Sequence, residues 1–365
     1  MQIDLIQYMS QKVFFTPGPT QLYFTVPDHL KAALREDVMS ISHRSKAFEK
    51  LFATARERVS ELLNLPPGYD LYFTGSANEI WERVVQNLIR QHSHHFINGA
   101  FAQKFHQFAL EYQKDALATT ANDGWPFDHL EVSGESELIA VTLNETSTGF
   151  MLEQEAIDQL REKYPEKLIA VDGVSAFPSV SFDFSKTDTA YFSVQKSFGL
   201  PAGLGVWIVN DRCYEKAQQL ESEKKITGSY HRLMELKKYG AKNQTPETPN
   251  ILGIYLLGKV AEDMLFRSAK TIQNETTYKA AVLYQALEQS TSLNPFVQRP
   301  ANRSKTVVVA ECQSENTGIL SRFAEKGWII GSGYGGYKQK HLRIANFPMH
   351  SKEIIENLAD ELAQL

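Results

Sequence analysis

Short apolar segments alternate with longer amphipathic segments along the first two thirds of the chain, and this alternation most restricts the possible folds. Helical patterns with one apolar face separate several of the apolar segments. Nearly continuous apolar strands that alternate with helices are typical of a mostly parallel sheet covered on both faces. The sequence therefore predicts an α/β fold, with strands at 71–74, 94–98, 137–143, 167–172, 189–194 and 204–209 and with helices at 43–64, 78–91 and 153–164.

The last third of the chain has a different pattern. A long helical stretch at 250–290 is followed by few candidate strands, which predicts a smaller α+β domain. We expect a large domain at 18–255 and a small domain built from 1–17 and 256–365. In the small domain, strands are predicted at 304–313, 327–331 and 340–347 and helices at 315–326 and 351–364.

Composition narrows the class of protein. The chain has 365 residues, a net charge of −5 and two cysteines. Without a basic excess, neither a nucleic acid nor an anionic membrane is an expected partner. The sequence contains neither a long apolar run nor a basic start followed by one, so we expect no membrane span and no signal peptide. Two distant cysteines form no zinc cluster and suit a reducing compartment, which predicts a cytoplasmic protein without a metal site.

Residues that carry chemistry follow five of the predicted strands. In parallel α/β sheets, ligands bind beyond the carboxyl ends of the strands, so these side chains are expected to meet at one edge. In chain order the candidates are Ser76, Ala77 and Asn78, then Phe101, Thr146, Asp172, and finally Gln195 and Lys196.

Each candidate also has an ordinary structural explanation. Ser76 could simply cap a helix, and Lys196 could extend from a strand end into solvent. Together, however, the residues meet the needs of one cofactor, pyridoxal 5′-phosphate. A lysine forms its Schiff base, a carboxylate holds its ring nitrogen protonated, and a helix N-terminus binds its phosphate. Apolar flanks should lower the pKa of Lys196, which favours its action as nucleophile and base.

Motifs along nearly the whole chain support this interpretation. They are "FTPGPTQL" at 15–22, "VMSISHRSKAFEKL" at 38–51, "NGAFAQKF" at 98–105, "NETSTG" at 144–149 and "ETPNILGIY" at 247–255. In this order they resemble the class V aminotransferases of fold type I, and within them the phosphoserine aminotransferases.

The resemblance implies further roles for the site residues. Phe101 takes the place of an aromatic residue stacked on the cofactor ring, and Thr146 matches a residue that contacts the ring oxygen or the phosphate. Gln195 matches a phosphate contact. In the family, a threonine reaches the cofactor phosphate of the neighbouring subunit. Thr248 fits that pattern better than Thr245, and the choice between the two stays open.

Substrate residues are implied in the same way. Arg343 matches the arginine that holds the substrate α-carboxylate, a role that suits a bidentate guanidinium. His43 and Arg44 match a pair that binds the substrate phosphate from the partner subunit. The resemblance therefore implies a homodimer with shared active sites that transfers an amino group between phosphoserine and 2-oxoglutarate. The structural alternatives are a solvated helix start for His43 and Arg44 and a surface salt bridge for Arg343.

One segment departs from the phosphoserine pattern. No His-Arg pair precedes Arg343 in "GSGYGGYKQKHLR"; the cations there are Lys338, Lys340 and His341. This segment and "GSAN" at 75–78 look more like the enzymes that use alanine or serine with glyoxylate or pyruvate, which is the alternative function. A cysteine desulfurase is excluded because 331–343 holds no cysteine. A binding protein that keeps the fold without catalysis is the remaining alternative.

Overall fold

The computed structural model of the protein describes residues 12–225 and 229–365. The predicted absence of a signal peptide and the first part of the predicted small domain, residues 1–11, lie outside these ranges. The strands are β1 Val13–Phe15, β2 Tyr69–Thr74, β3 His92–Ile97, β4 Asp115–Thr120, β5 Leu138–Thr142, β6 Asn144–Glu145, β7 Phe150–Met151, β8 Leu168–Asp172, β9 Thr189–Ser193, β10 Gly205–Asn210, β11 Leu293–Pro295, β12 Val307–Cys312, β13 Trp328–Ser332 and β14 His341–Ala345. The helices are α1 Val26–Arg35, α2 Lys46–Leu62, α3 Ala77–Leu88, α4 Ala100–Glu111, α5 Gln154–Lys163, α6 Asp211–Ser222, α7 Leu233–Gly240, α8 Ile251–Arg267, α9 Ala269–Gln289, α10 Thr317–Glu325 and α11 Lys352–Ala363.

The larger sheet confirms the predicted α/β architecture. Its seven strands within the described ranges run in the order β2-β10-β9-β8-β5-β3-β4. Strands β9, β8, β5, β3 and β4 are parallel, and β10 is antiparallel to both of its neighbours. Sequence analysis missed β4, because this edge strand is largely exposed and its sequence, DALATT, contains no apolar run.

Helices cover both faces of this sheet because its strands are apolar on both sides. In β2, Leu71 and Phe73 pack into one cluster with α2 and α8, whereas Tyr72 packs into a second cluster with α3, α4 and α6. The carboxyl ends of β3, β5, β8 and β9 remain at one edge, where the loops that follow them converge.

The first helix of the sequence prediction, 43–64, is α2. Ser45 caps its N-terminus, since its side chain accepts a hydrogen bond from the N–H of Phe48. The predicted apolar face is the buried one and includes Phe52, Ala55 and Val59. This face packs against α8, and the two helices come closest at Gly258, where a Cβ atom would lie 3.2 Å from Cα of Ala55.

A second, five-stranded sheet has the order β1-β13-β14-β12-β11 and packs against α9, α10 and α11. The predicted helical stretch at 250–290 is two helices, since Ser268 between α8 and α9 has a φ of 68°. The division of the chain into 18–255 and 1–17 with 256–365 stays a prediction. Packing favours a later boundary, near Ser268, because α8 belongs to the core of the large sheet as far as Met264.

We also expected neither a membrane span nor a metal site, and two cysteines that form no disulfide bond. No helix in the described part of the chain is both long and apolar enough to cross a lipid bilayer. Neither of the two ranges contains a group of His, Cys, Asp or Glu side chains that could hold a metal ion. Cys213 and Cys312 are both buried and unpaired.

The contact at Gly258 predicts a stability difference between two glycine positions. Gly258→Val would force branched carbons against the backbone of α2, an overpacking that costs about 1–3 kcal/mol. Gly318→Val is the matched control, because a side chain on this exposed helical glycine meets nothing within 4 Å. Thermal unfolding should show a midpoint several degrees lower for Gly258→Val and little change for Gly318→Val. Equal midpoints for the two variants would contradict the close packing of α2 and α8.

Candidate active site

Lys196 lies just beyond the end of β9, and its side chain is buried, with 8% exposed. Within the described ranges, its Nζ has no hydrogen-bond acceptor and no carboxylate at ion-pair distance. Burial, with the Arg343 guanidinium as the next contribution, lowers the pKa of this amine to about 8. Lys196 therefore offers a nucleophilic nitrogen at mildly alkaline pH.

The segment at 15–22 closes over this amine. Gly18 has a φ of 147°, and a Cβ atom on it would lie 2.4 Å from Nζ of Lys196. The N–H of Thr20 donates a hydrogen bond to the carbonyl of Gln195, 3.3 Å away. A side chain at position 18 would occupy the space of the lysine, so the glycine in "FTPGPTQL" keeps the amine accessible to a ligand.

Asp172 ends β8, next to β9, and is 4% exposed. Its Oδ1 accepts a hydrogen bond from the N–H of Val174 at 3.0 Å. Burial is the main cause that raises the pKa of this carboxyl to about 7; the charge of Glu145 raises it further and that of Lys196 opposes the rise. A cation that binds beside such a buried carboxyl group stabilises its anionic form.

Glu145 is a site residue that sequence analysis missed. It is fully buried, and its Oε2 accepts hydrogen bonds from the N–H groups of Phe101 at 3.1 Å and Ala102 at 3.0 Å. Its Oε1 accepts from the hydroxyl of Ser147 at 2.7 Å. Gly99 permits this approach, since a Cβ there would lie 2.3 Å from Cγ of Glu145. The carboxyl group thus caps α4 and fixes Phe101. Its position in "NETSTG", directly before Thr146, was the available signal.

Phe101 lies at the start of α4, with its ring centroid 6.0 Å from Nζ of Lys196. The ring also lies 5.1 Å from that of Tyr334, centroid to centroid. We call these two rings the aromatic pair. The structure therefore brings the predicted aromatic residue to the predicted lysine, and adds Tyr334, which sequence analysis had not selected because no local pattern links it to Phe101.

Arg343, on β14, reaches the same edge from the second sheet. Its Nε donates a hydrogen bond to the carbonyl of Ser332 at 2.8 Å, and its Cζ lies 5.4 Å from the ring centroid of Tyr334. In the described part of the chain no carboxylate pairs with this half-buried guanidinium. An oriented arginine without a counter-ion is suited to bind an anionic ligand through its terminal nitrogens, and the surface salt bridge that was the alternative for Arg343 is not formed.

The predicted phosphate loop begins α3. The hydroxyl of Ser76 caps the helix by accepting from the N–H of Glu79 at 3.2 Å, as the simpler interpretation also predicted. The N–H of Ala77 donates to the hydroxyl of Ser193 at 2.9 Å, so this group is already used. Asn78 is exposed in the first turn, where backbone N–H groups lack partners within the helix. The loop therefore offers an anion fewer hydrogen-bond donors than predicted.

Two other predicted cofactor residues are at the same edge. The hydroxyl of Thr146 is buried and donates to the hydroxyl of Ser175 at 2.8 Å, which leaves its lone pairs rather than its proton for a ligand. The Gln195 side chain is half-buried beside Lys196.

Thr245 and Thr248, the two candidate threonines for the phosphate contact, differ in their exposure. Thr245 is buried, and its hydroxyl donates to the carbonyl of Glu247 at 2.7 Å. Thr248 is exposed and lines a cleft together with Gly75 and Gly203, beside the predicted phosphate loop. Thr248 is therefore the threonine whose hydroxyl is available.

Within the described ranges, neither His43 nor Arg44 forms a hydrogen bond with Lys196. Arg44 is exposed; its Nη1 donates to the carbonyl of Thr245 at 2.6 Å and to Oε1 of Gln244 at 3.1 Å. Its Nη2 donates to the carbonyl of Pro246 at 3.1 Å. Arg44 is thus placed against the segment that carries Thr248, and the role of His43 and Arg44 at a partner subunit's site stays a prediction.

The environment of Lys196 predicts its reactivity. In competitive labelling with acetic anhydride followed by mass spectrometry, Lys196 of the cofactor-free protein should react half-maximally near pH 8, because burial disfavours the ammonium form. Lys352, an exposed lysine at the start of α11, serves as the labelling control. Arg343→Met should move the Lys196 midpoint upward, since it removes a neighbouring positive charge. A Lys196 midpoint equal to that of Lys352 would contradict the described environment.

Comparison with known proteins agrees with this geometry. The family model described as aminotransferase class-V matches residues 12–334. Among curated proteins, the phosphoserine aminotransferase of Rhodococcus opacus (strain B4) is 26% identical over 358 residues, which cover 95% of this chain and 93% of that protein.

Solved structures extend the comparison. A phosphoserine aminotransferase from Cytophaga hutchinsonii ATCC 33406 is 43% identical, with a TM-score of 0.95 over 97% of this chain and 99% of that chain. An alanine–glyoxylate aminotransferase from Nostoc sp. has a TM-score of 0.82, covers 100% of this chain and 97% of its own, and is 20% identical, a likeness of fold alone. The matched family model spans most of the sequence, and the chain belongs to the class-V aminotransferases.

Proposed function

We propose that this chain is a pyridoxal 5′-phosphate-dependent transaminase that exchanges an amino group between phosphoserine and 2-oxoglutarate. The observation that carries the proposal is the buried amine of Lys196, which has no carboxylate partner among the described residues, with Asp172 on the neighbouring strand. The guanidinium of Arg343, likewise without an ion-pair partner there, lies close by. The phosphoserine aminotransferases among the similar proteins, one of them 43% identical, support the choice of substrate.

The residues present fit this cofactor. An aromatic aldehyde with a basic ring nitrogen requires an amine, space beside it and a carboxyl group for the ring nitrogen. In the described part of the chain, Lys196 offers an amine without a hydrogen-bond partner, Gly18 leaves room beside it, and Asp172 offers the carboxyl group. Phe101 offers an aromatic face near the amine, and the N-terminus of α3 offers an anion site for the phosphate.

The chemistry then divides among the residues of the chain. When bound, pyridoxal phosphate supplies a carbonyl carbon for the amine and a conjugated ring that withdraws electrons from the substrate Cα. Lys196 would hold the cofactor through Nζ and, once the substrate amine displaces it, take the proton from the substrate Cα. Asp172 would hold a proton on the ring nitrogen. Arg343 would fix the substrate α-carboxylate through its two terminal nitrogens.

Shared sites in a homodimer are part of the proposal. Thr248 is exposed at a cleft, where its hydroxyl is free to reach another subunit's cofactor phosphate. Arg44 uses three of its five N–H donors on the segment at 244–246, which leaves Nε and one Nη2 hydrogen for a substrate phosphate. His43 is half-buried beside it, and burial and the Arg44 charge lower the pKa of its imidazole. Its neutral ring would bind that phosphate as a hydrogen-bond donor.

We also propose a cytoplasmic location. Both cysteines are unpaired and buried, which suits a reducing compartment.

The alternative is transamination between a small unphosphorylated amino acid and glyoxylate or pyruvate. One observation favours it: the segment before Arg343 lacks a His-Arg pair.

Substrate comparison tests the proposal. With 2-oxoglutarate as acceptor, kcat/KM should be at least about 100-fold higher for phosphoserine than for alanine, because alanine offers no second anion for the cationic groups. Arg44→Ala should lower kcat/KM for phosphoserine about tenfold or more and affect alanine much less. Lys46→Ala, an exposed residue on the same segment, is the control and should change neither value. Equal values for phosphoserine and alanine in the native enzyme would refute the phosphoserine assignment and favour the alternative.

A further inference from the structure

We propose that Lys104, held in place by Tyr334, determines specificity by binding the second anionic group of the substrate. This inference rests on the proposed function, which requires substrates with a phosphate or carboxylate beyond the α-carboxylate. Lys104 lies one turn after Phe101 on α4, and its Nζ donates a hydrogen bond to the hydroxyl of Tyr334 at 2.6 Å. Two N–H groups of the ammonium stay available to a ligand.

The position of Lys104 links it to the active site. Its Nζ lies 5.7 Å from the ring centroid of Phe101 and 5.2 Å from that of Tyr334, so it contacts both members of the aromatic pair. Lys196 approaches the Phe101 ring at 6.0 Å, and Arg343 approaches the Tyr334 ring at 5.4 Å. Three cationic groups therefore surround the two rings. Lys196 would perform the chemistry, Arg343 would bind the α-carboxylate, and Lys104 would bind the distal anion. Where that anion is a phosphate, Lys104 would share it with the His43 and Arg44 proposed to come from the partner subunit.

The charges around the aromatic pair favour a substrate with two anionic groups. The acidic residues near the aromatic pair, Glu145 and Asp172, are both buried. Glu145 caps α4, and the charge of Asp172 interacts with that of Lys196. No carboxylate in residues 12–225 and 229–365 forms an ion pair with Lys104 or Arg343. A substrate with one carboxylate would satisfy Arg343 and leave Lys104 without an anion. Phosphoserine, glutamate and their oxo acids carry two anionic groups and would satisfy both.

This placement also supplies a cation where the segment before Arg343 lacks a His-Arg pair. Of the three candidate cations before Arg343, Lys338 is exposed. His341 is buried against Phe296 and Tyr337, and burial lowers the pKa of its imidazole to about 4, so it is uncharged near neutral pH. Lys340 lines a different cavity, with Glu311 and Glu315. Lys104 is a cation that the structure does bring to the ring of Tyr334.

The test compares substrates and ligands that differ by one anionic group. In Lys104→Met, kcat/KM should fall about 10-fold or more for phosphoserine and for glutamate, and less than about twofold for alanine. Lys104→Arg should restore most of the loss, and Tyr334→Phe should lose selectivity partially. Lys352→Met, which removes an exposed lysine at the start of α11, is the control and should match the native enzyme.

Calorimetric binding to the holoenzyme separates recognition from catalysis. Glutarate and valerate have equal chain lengths, but glutarate carries a second carboxylate. Lys104→Met should raise the Kd of glutarate about tenfold and leave that of valerate unchanged. Equal losses for all three amino acids, or an unchanged Kd for glutarate, would overturn the assignment.

The two proposals can fail separately. If the native enzyme does not prefer phosphoserine to alanine, the proposed function fails. The Lys104 assignment is then decided by the comparisons of glutamate with alanine and of glutarate with valerate, neither of which involves phosphoserine.

Discussion

The burial of one uncompensated amine is the constraint on which the active site depends. An ammonium group in an apolar interior loses its hydration, and without a counter-ion the neutral form is favoured. At Lys196 the nearby guanidinium of Arg343 adds to this effect, whereas Asp172 and Glu145 oppose it. The balance gives an amine with a pKa of about 8, neutral enough to act as a nucleophile yet still readily protonated. The same burial leaves Asp172 in need of a cation, so the two groups are complementary to one ligand.

Glu145 connects the sheet to the groups that would recognise the substrate. By accepting the N–H groups at the start of α4, its carboxyl group fixes the orientation of that helix and offsets its unpaired donors. Phe101 and Lys104 are both carried on this helix, one turn apart, and Tyr334 joins them to Arg343 on the second sheet. A buried carboxyl group therefore holds the aromatic pair beside the amine.

Local sequence patterns predicted the parts of this structure that depend on the apolar or polar character of neighbouring residues. The apolar runs that became β2, β8 and β9 identified the sheet, and the rule that ligands bind at strand carboxyl ends brought Asp172 and Lys196 together. The break at Ser268 was missed because a single residue with positive φ leaves the apolar periodicity almost intact. The edge strand β4 was missed because exposure removes the apolar signal.

The remaining site residues could not be predicted because their roles arise from long-range packing. Tyr334 is connected to Phe101 only by the docking of the second sheet, and no local spacing shows that contact. The use of the Ala77 N–H by Ser193 likewise depends on the pairing of distant strands. The roles assigned to His43, Arg44 and Thr248 involve a second subunit and remain proposals.

Covalent trapping of the cofactor shows directly whether Lys196 is the residue that holds it. The protein is incubated with pyridoxal 5′-phosphate at pH 8, reduced with borohydride, digested, and mapped by mass spectrometry. We expect one cofactor per chain, attached to the peptide that contains Lys196, and none in Lys196→Ala treated in the same way. Stoichiometric attachment to another lysine, or no attachment in the native protein, would contradict it.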